Sequence, residues 1–154
     1  MKRYYSLLLT ALLLTSCMTR MGHEDNDAQA QAAVQQMVDM IMSGKRAQLA
    51  EMASLPFWMD DWLTDRQSLQ AKFTARMPES EPKPTRLMVR IYPLGDLAAL
   101  RPKVWETLKA SDPAYLKDLY VAAVALDLDN NPQSGLLLLR KVDGVWRLAG
   151  MLEE

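Results

Sequence analysis

The run LLLLRKVDGVWRLAGM at residues 136–151 decides the fold. Asp143 and Gly144, set between two apolar runs, form the strongest short hairpin signal in the chain. Leu136 to Val142 and Val145 to Met151 therefore read as two paired strands. Upstream, the cluster Asn130 to Gly135 reads as a turn, and Leu119 to Asp129 as the longest strand. Thr85 to Tyr92 alternates, with Leu87, Val89 and Ile91 on one face and Arg86, Met88, Arg90 and Tyr92 on the other. Between these two strands, Pro93 to Ala110 reads as a helical insertion, with Asp96 as its cap and Pro102 dividing it.

N-terminal to Thr85 the periodicity changes. Pro78 to Pro84 is a short linker. Thr64 to Gln67 reads as a capping box that opens a helix through Leu69, Phe73 and Met77. Phe57 to Met59 and Trp62 to Leu63 read as a tight hairpin around Asp60 and Asp61. Arg46 to Ser54 is a short helix broken by Pro56. A longer helix begins at Ala28, where Ala30, Ala33, Val34, Met37, Val38 and Ile41 make one apolar stripe. Asp27 is its expected cap, and Ser43 with Gly44 its expected stop. Helices followed by a run of strands predict an α+β fold, with N-terminal helices packed on one face of a strongly curved antiparallel sheet.

Composition excludes several classes. The 154 residues are 49% apolar and 24% charged, as in one folded domain. The net charge is −1, and no basic run follows the first three residues. A nucleic-acid partner is therefore not expected. One cysteine rules out an internal disulfide and a cysteine-built zinc site, and one histidine, His23, leaves little for a His-rich metal centre or a histidine-dependent triad. The chain carries no glycine-rich phosphate loop and no metal-ligand spacing, so neither a cofactor nor a metal is expected.

The N-terminus carries an address. Lys2 and Arg3 precede the apolar stretch Leu7 to Leu14, which is too short to span a membrane at about 20 residues. It ends at Leu14-Thr15-Ser16-Cys17, which resembles the lipobox of bacterial lipoproteins. The resemblance implies removal of residues 1–16 as a signal peptide and diacylglycerol on the Cys17 thiol. The competing reading is an ordinary secretory signal with Cys17 there by chance. Residues 17–27 would be the lipidated cysteine and a polar tether that includes His23, and 28–154 the folded domain. Two or three acyl chains would anchor the protein stably in the cell envelope. Met18 after the cysteine, in place of aspartate, resembles an outer-membrane passenger facing the periplasm.

The domain itself resembles the nuclear transport factor 2-like superfamily, an α+β cone. The likeness rests on the paired N-terminal helices, on Leu55-Pro56-Phe57-Trp58 with Asp60 and Leu63-Thr64-Asp65, and on Val142 to Leu148. It implies a pocket inside the cone and homodimers through the sheet. The superfamily hosts both enzymes and non-catalytic binding domains, so the fold does not settle function. With its only histidine in the tether, the chain cannot form the superfamily's histidine-based dehydratase arrangement.

Two functions stay open at this level. The favoured one is a non-catalytic, membrane-anchored envelope lipoprotein whose cone binds a small apolar ligand, a peptide or a protein. Trp58, Trp62, Tyr92 and Trp105 are its candidate pocket residues, and Met37, Met40, Met42, Met52, Met59 and Met88 a candidate soft lining, although filling the core is the commoner role of methionine and tryptophan alike. The alternative is a small cofactor-free periplasmic isomerase or hydrolase. Its aspartate would be Asp60, held between Trp58 and Trp62, where burial would raise its pKa. The simpler explanation of Asp60, Asp61 and Asp65 is as turn and helix-start residues. Asp127 and Asp129, on one face of a strand, could cooperate as acid–base carboxylates, but cross-strand ion pairs with Arg140, Lys141 and Arg147 explain them more simply.

Overall fold

The computed structural model describes residues 26–152. The signal segment, Cys17, Met18 and His23 lie outside the described residues. The chain is helical from residue 26 to 42 (α1) and again over Arg46–Met52 (α2). A two-strand hairpin follows, β1 Phe57–Trp58 and β2 Trp62–Leu63, then α3 Arg66–Arg76. After β3, Arg86–Pro93, a short 3-10 turn leads into α4 Leu97–Leu100 and α5 Pro102–Lys109. Three long strands close the chain: β4 Leu119–Leu128, β5 Asn131–Val142 and β6 Val145–Leu152. The fold is α+β, as the order of periodicities predicts.

The six strands among the described residues form one sheet in the order β2-β1-β6-β5-β4-β3. All neighbours are antiparallel except β1 and β6, which run parallel where Trp58 faces Gly150. The sheet is therefore mixed. The chain leaving α2 is fixed by a bond from Ser54 N–H to the Leu148 carbonyl, and this sets the direction in which β1 joins β6. Gly150 permits the approach. A Cβ there would lie 2.8 Å from Trp58 Cβ and 3.0 Å from the Trp58 carbonyl oxygen. Gly150→Ala is expected to destabilise by about 1–3 kcal/mol through overpacking, measured by urea denaturation. An unchanged midpoint would mean that β1 moves away from β6 without penalty.

The pleat divides the core into two. On β4, Tyr120, Ala122 and Val124 face the cluster under α1, α2 and α3, while Leu119, Val121 and Ala123 face the other side. That other side is not bare. Leu97 of α4 and Leu108 of α5, both fully buried, pack on it beside Leu138 and Ala149. The insertion between β3 and β4 thus supplies a helical cover on the second face, because its apolar residues need burial as much as those of α1. On β6, Leu139 faces Leu148 but Leu138 faces Gly150, so Ala149 is an extra residue. Such a bulge bends the strand and increases its twist, one source of the expected curvature.

Local signals held with small shifts. Residues 26 and 27 are already helical, so Asp27 lies within α1 and is not its cap. The cap of α3 is Asp65, not Thr64, because Asp65 has the extended backbone a cap requires. Its carboxylate accepts from the Ser68 hydroxyl and the Ser68 N–H, both at 2.7 Å. The Ser68 hydroxyl first, then the Ser68 amide, hold this carboxyl below the usual aspartate range. The turn between β4 and β5 is only Asp129 and Asn130, at φ 50° and 66°. Two consecutive left-handed residues close a two-residue hairpin, so residues 131–135 continue β5 in pairing with β4. Pro132 is tolerated there because β6 pairs only with Leu136 and beyond, leaving that end of β5 on an edge.

Candidate functional site

Three elements meet at one end of the sheet and leave a groove between them. From α1, Met37 and Met40 stand one turn apart on the same face, flanked by Ala33 and Gln36. Leu49 and Met52 of α2, with Ala53 just after it, form the second wall. The tip of the β5–β6 hairpin, Gly144 to Leu148, forms the third. The enclosed space is about 280 Å³. Met52 is 41% and Val145 53% exposed, so the mouth carries two large apolar side chains in contact with solvent.

Trp146 anchors the hairpin side. It is 7% exposed and meets Tyr120 edge-to-face, with ring centroids 5.1 Å apart. Lys141 Nζ lies 5.4 Å from its ring centroid and also donates to Asn26 Oδ1 at 2.6 Å, tying β5 to α1. Arg147 Nη1 donates to the Met52 carbonyl at 3.1 Å and ties the hairpin to the end of α2. The Trp146 indole N–H is buried and has no partner among the described residues.

The four aromatic candidates gather on the opposite side of the sheet. Trp58 is buried there, with Trp62, Tyr92 and Trp105 packed against the same cluster. Trp58 and Trp62 meet edge-to-face at 5.2 Å, and Trp62 meets Tyr115 at 5.3 Å. They fill the space under α4 and α5. Trp58 also borders a shallow hollow of about 240 Å³ with Asp60, Lys103 and Thr107. The methionines divide as well. Met37, Met40 and Met52 line the groove, Met42 lies near Glu81 and Lys83, Met59 is fully buried, and Met88 is exposed on β3.

Asp60 turns outward. Its φ of 65° belongs to the tight turn between β1 and β2, and its side chain is 51% exposed beside Arg76 Nη1 at 2.5 Å. Its flanking tryptophans point into the core without burying the carboxylate. Asp60→Asn is expected to leave any phenotype of the gene intact and to cost at most about 1 kcal/mol, the scale of an exposed ion pair. Complementation of a deletion strain checks this. A well-folded, correctly placed variant that behaves as a deletion would promote Asp60 to a catalytic role.

Arg140, Lys141 and Arg147 do not form the expected ion pairs with Asp127 and Asp129. Arg140 reaches the other way, across the segment before β1. It donates to Ser54 Oγ at 2.9 Å, to the Leu55 and Pro56 carbonyls, and to the Tyr115 carbonyl at 2.7 Å. Burial pushes its guanidinium below the usual arginine value, and the charge of nearby Asp118 opposes that shift. Among the described residues, no group of three or more His, Cys, Asp or Glu side chains can hold a metal ion. No helix among them is long and apolar enough to cross a membrane.

Val145, Gln29 and Gln36 were missed as groove residues by sequence reasoning. The methionine spacing on α1 pointed to one wall, but nothing local pairs that wall with the tip of a hairpin more than 100 residues away.

Fold and groove together define a class: an α+β domain with an apolar, methionine-lined groove where its helices meet the end of the sheet. The sequence matches no protein-family model and no curated protein. Among solved structures it is similar to a putative calcium/calmodulin dependent protein kinase II association domain from Xanthomonas campestris. The two are 14% identical over 79% of this chain and 81% of that one, with a TM-score of 0.37. That likeness assigns no residue of this chain a role.

Proposed function

We propose that this chain is a lipid-anchored envelope protein whose α+β domain binds an apolar ligand or an apolar protein segment in the groove of Met37, Met40, Met52 and Trp146. The observation that carries the binding function is the pair of exposed apolar side chains, Met52 and Val145, at the mouth of that groove. Thioethers adapt to ligands of varied shape, and three of them on two helices suit a flexible apolar guest. Self-association through the sheet, which the family resemblance implies, is confined to the part of the second face that α4 and α5 leave open.

Two experiments test the two halves. For the groove, dodecanol is titrated into the wild type and into a Met52→Glu/Val145→Glu variant, both positions being exposed enough to accept charge. Saturable binding weakened about tenfold or more in the variant supports the site, since about 1.4 kcal/mol of lost apolar contact is tenfold in affinity. Equal binding to both proteins removes it. For the anchor, Cys17→Ala is expected to abolish palmitate labelling and leave an uncleaved precursor. Normal maturation to the wild-type size would mean an ordinary signal peptide, and the lipid anchor would be withdrawn.

A further inference from the structure

The sheet has two edges of very different length. At one, β2 is only two residues long, too short to template another strand. At the other, β3 runs for eight residues, and β4 is its only strand neighbour among the described residues. The β3 backbone groups that point away from β4 have no partner among the described residues. A row of open N–H and C=O groups of this length is a ready place for an added strand.

The side chains on this edge carry a pattern. Arg86, Met88 and Arg90 share one face, in register with Asp127, Ala125 and Ala123 of β4. All three are exposed, Met88 at 52%. Neither guanidinium makes an ion pair or hydrogen bond among the described residues, Asp127 included. Beside Met88 lies a hollow of about 190 Å³, floored by Ala123, Ala125 and Leu136 and walled by Leu100 and Arg101. The face beside the open edge therefore reads cationic, apolar, cationic, next to a small apolar depression.

We propose that β3 is a docking edge for an extended acidic segment of a partner protein. The segment adds antiparallel to β3, with carboxylates opposite Arg86 and Arg90 and an apolar side chain opposite Met88. Main-chain hydrogen bonds supply the affinity of such strand addition, and alternate side chains supply its specificity. Charge selects the occupant. A second copy of β3 paired about Met88 would set Arg86 opposite the Arg90 of the other copy, and like charges directly opposite are destabilising. The same two arginines that discourage self-pairing accept a strand of opposite sign.

The probe is an end-capped heptapeptide, Thr-Glu-Thr-Val-Thr-Glu-Thr, titrated into the full chain by calorimetry, with amide hydrogen exchange read in parallel. Saturable binding is expected, weakening with salt, together with slower exchange at alternate amides of β3. An Arg86→Glu/Arg90→Glu variant should lose about tenfold or more in affinity, from two opposite-charge pairs turned into like-charge pairs. The same variant should gain binding to the peptide with lysine in place of glutamate, which shows that the edge is still folded. Three results would overturn the proposal: no binding to the wild type, equal binding to both proteins, or a dimer in sedimentation that protects β3 and excludes the peptide.

Discussion

Replacing Trp146 by alanine is expected to lower stability by about 3–5 kcal/mol, among the largest effects of any single truncation in the chain. Trp146 is 7% exposed within the cluster under the N-terminal helices and stacks edge-to-face on Tyr120. It also lines the groove near the start of β6, so its loss opens a cavity that merges with the groove. A merged cavity collapses poorly, because α1 and α2 are held apart by their own packing on the sheet. Urea denaturation with an unchanged m-value is the measurement. A variant within about 0.5 kcal/mol of wild type, the scale of a surface substitution, would place Trp146 outside the core. Trp146→Phe should recover most of the loss, since it keeps the ring contact with Tyr120 and leaves the unpartnered indole N–H out.

Arg140→Ala comes second, at about 3 kcal/mol, from a charged donor removed from several acceptors at once. Its guanidinium bonds to Ser54, Leu55, Pro56 and Tyr115, which belong to two segments far apart in the chain. Truncation leaves the carbonyls of a half-buried bend without a protein donor. Arg140→Lys is expected to restore little, because one ammonium cannot reproduce the planar fork. Arg147→Ala is the comparison: its guanidinium donates to the Met52 carbonyl at an exposed position, and the change should cost under about 1 kcal/mol. Equal losses at the two positions would mean that the network at Arg140 has no special weight.

Much of the fold was legible because its signals are local. The hairpin at Asp143 and Gly144 turns on two left-handed residues, φ 50° and 78°, and such residues declare themselves in the sequence. The alternation of β3 and the stripe of α1 are periodicities of a single element, and both survive into the structure. The break at Pro102 between α4 and α5 is steric and equally local. The turn after β4 misled because Pro132, Ser134 and Gly135 are turn formers by type, yet two residues before them had already closed the hairpin.

The candidate site was legible only in pieces. Residue type marked the methionines and tryptophans as core fillers first and pocket material second; the tryptophans went under α4 and α5, while three methionines went to the groove. Whether an apolar side chain fills a core or lines a space depends on which elements cover it, and that is a property of packing. Likewise Asp60 between two tryptophans suggested burial, whereas the turn at positive φ directs its carboxylate outward to Arg76.

By itself, then, the sequence determined the class of the fold, the main helices and strands, and the hairpin that closes it, because each depends on steric and hydrophobic rules acting over a few residues. Only the tertiary structure decided that β1 joins β6 in parallel, that the insertion covers the second face of the sheet, and that β3 is left as a long open edge. It also decided that Arg140 binds carbonyls and not aspartates. These outcomes depend on contacts between residues far apart in the chain, where the free energy of burial chooses among arrangements that local preference leaves equal.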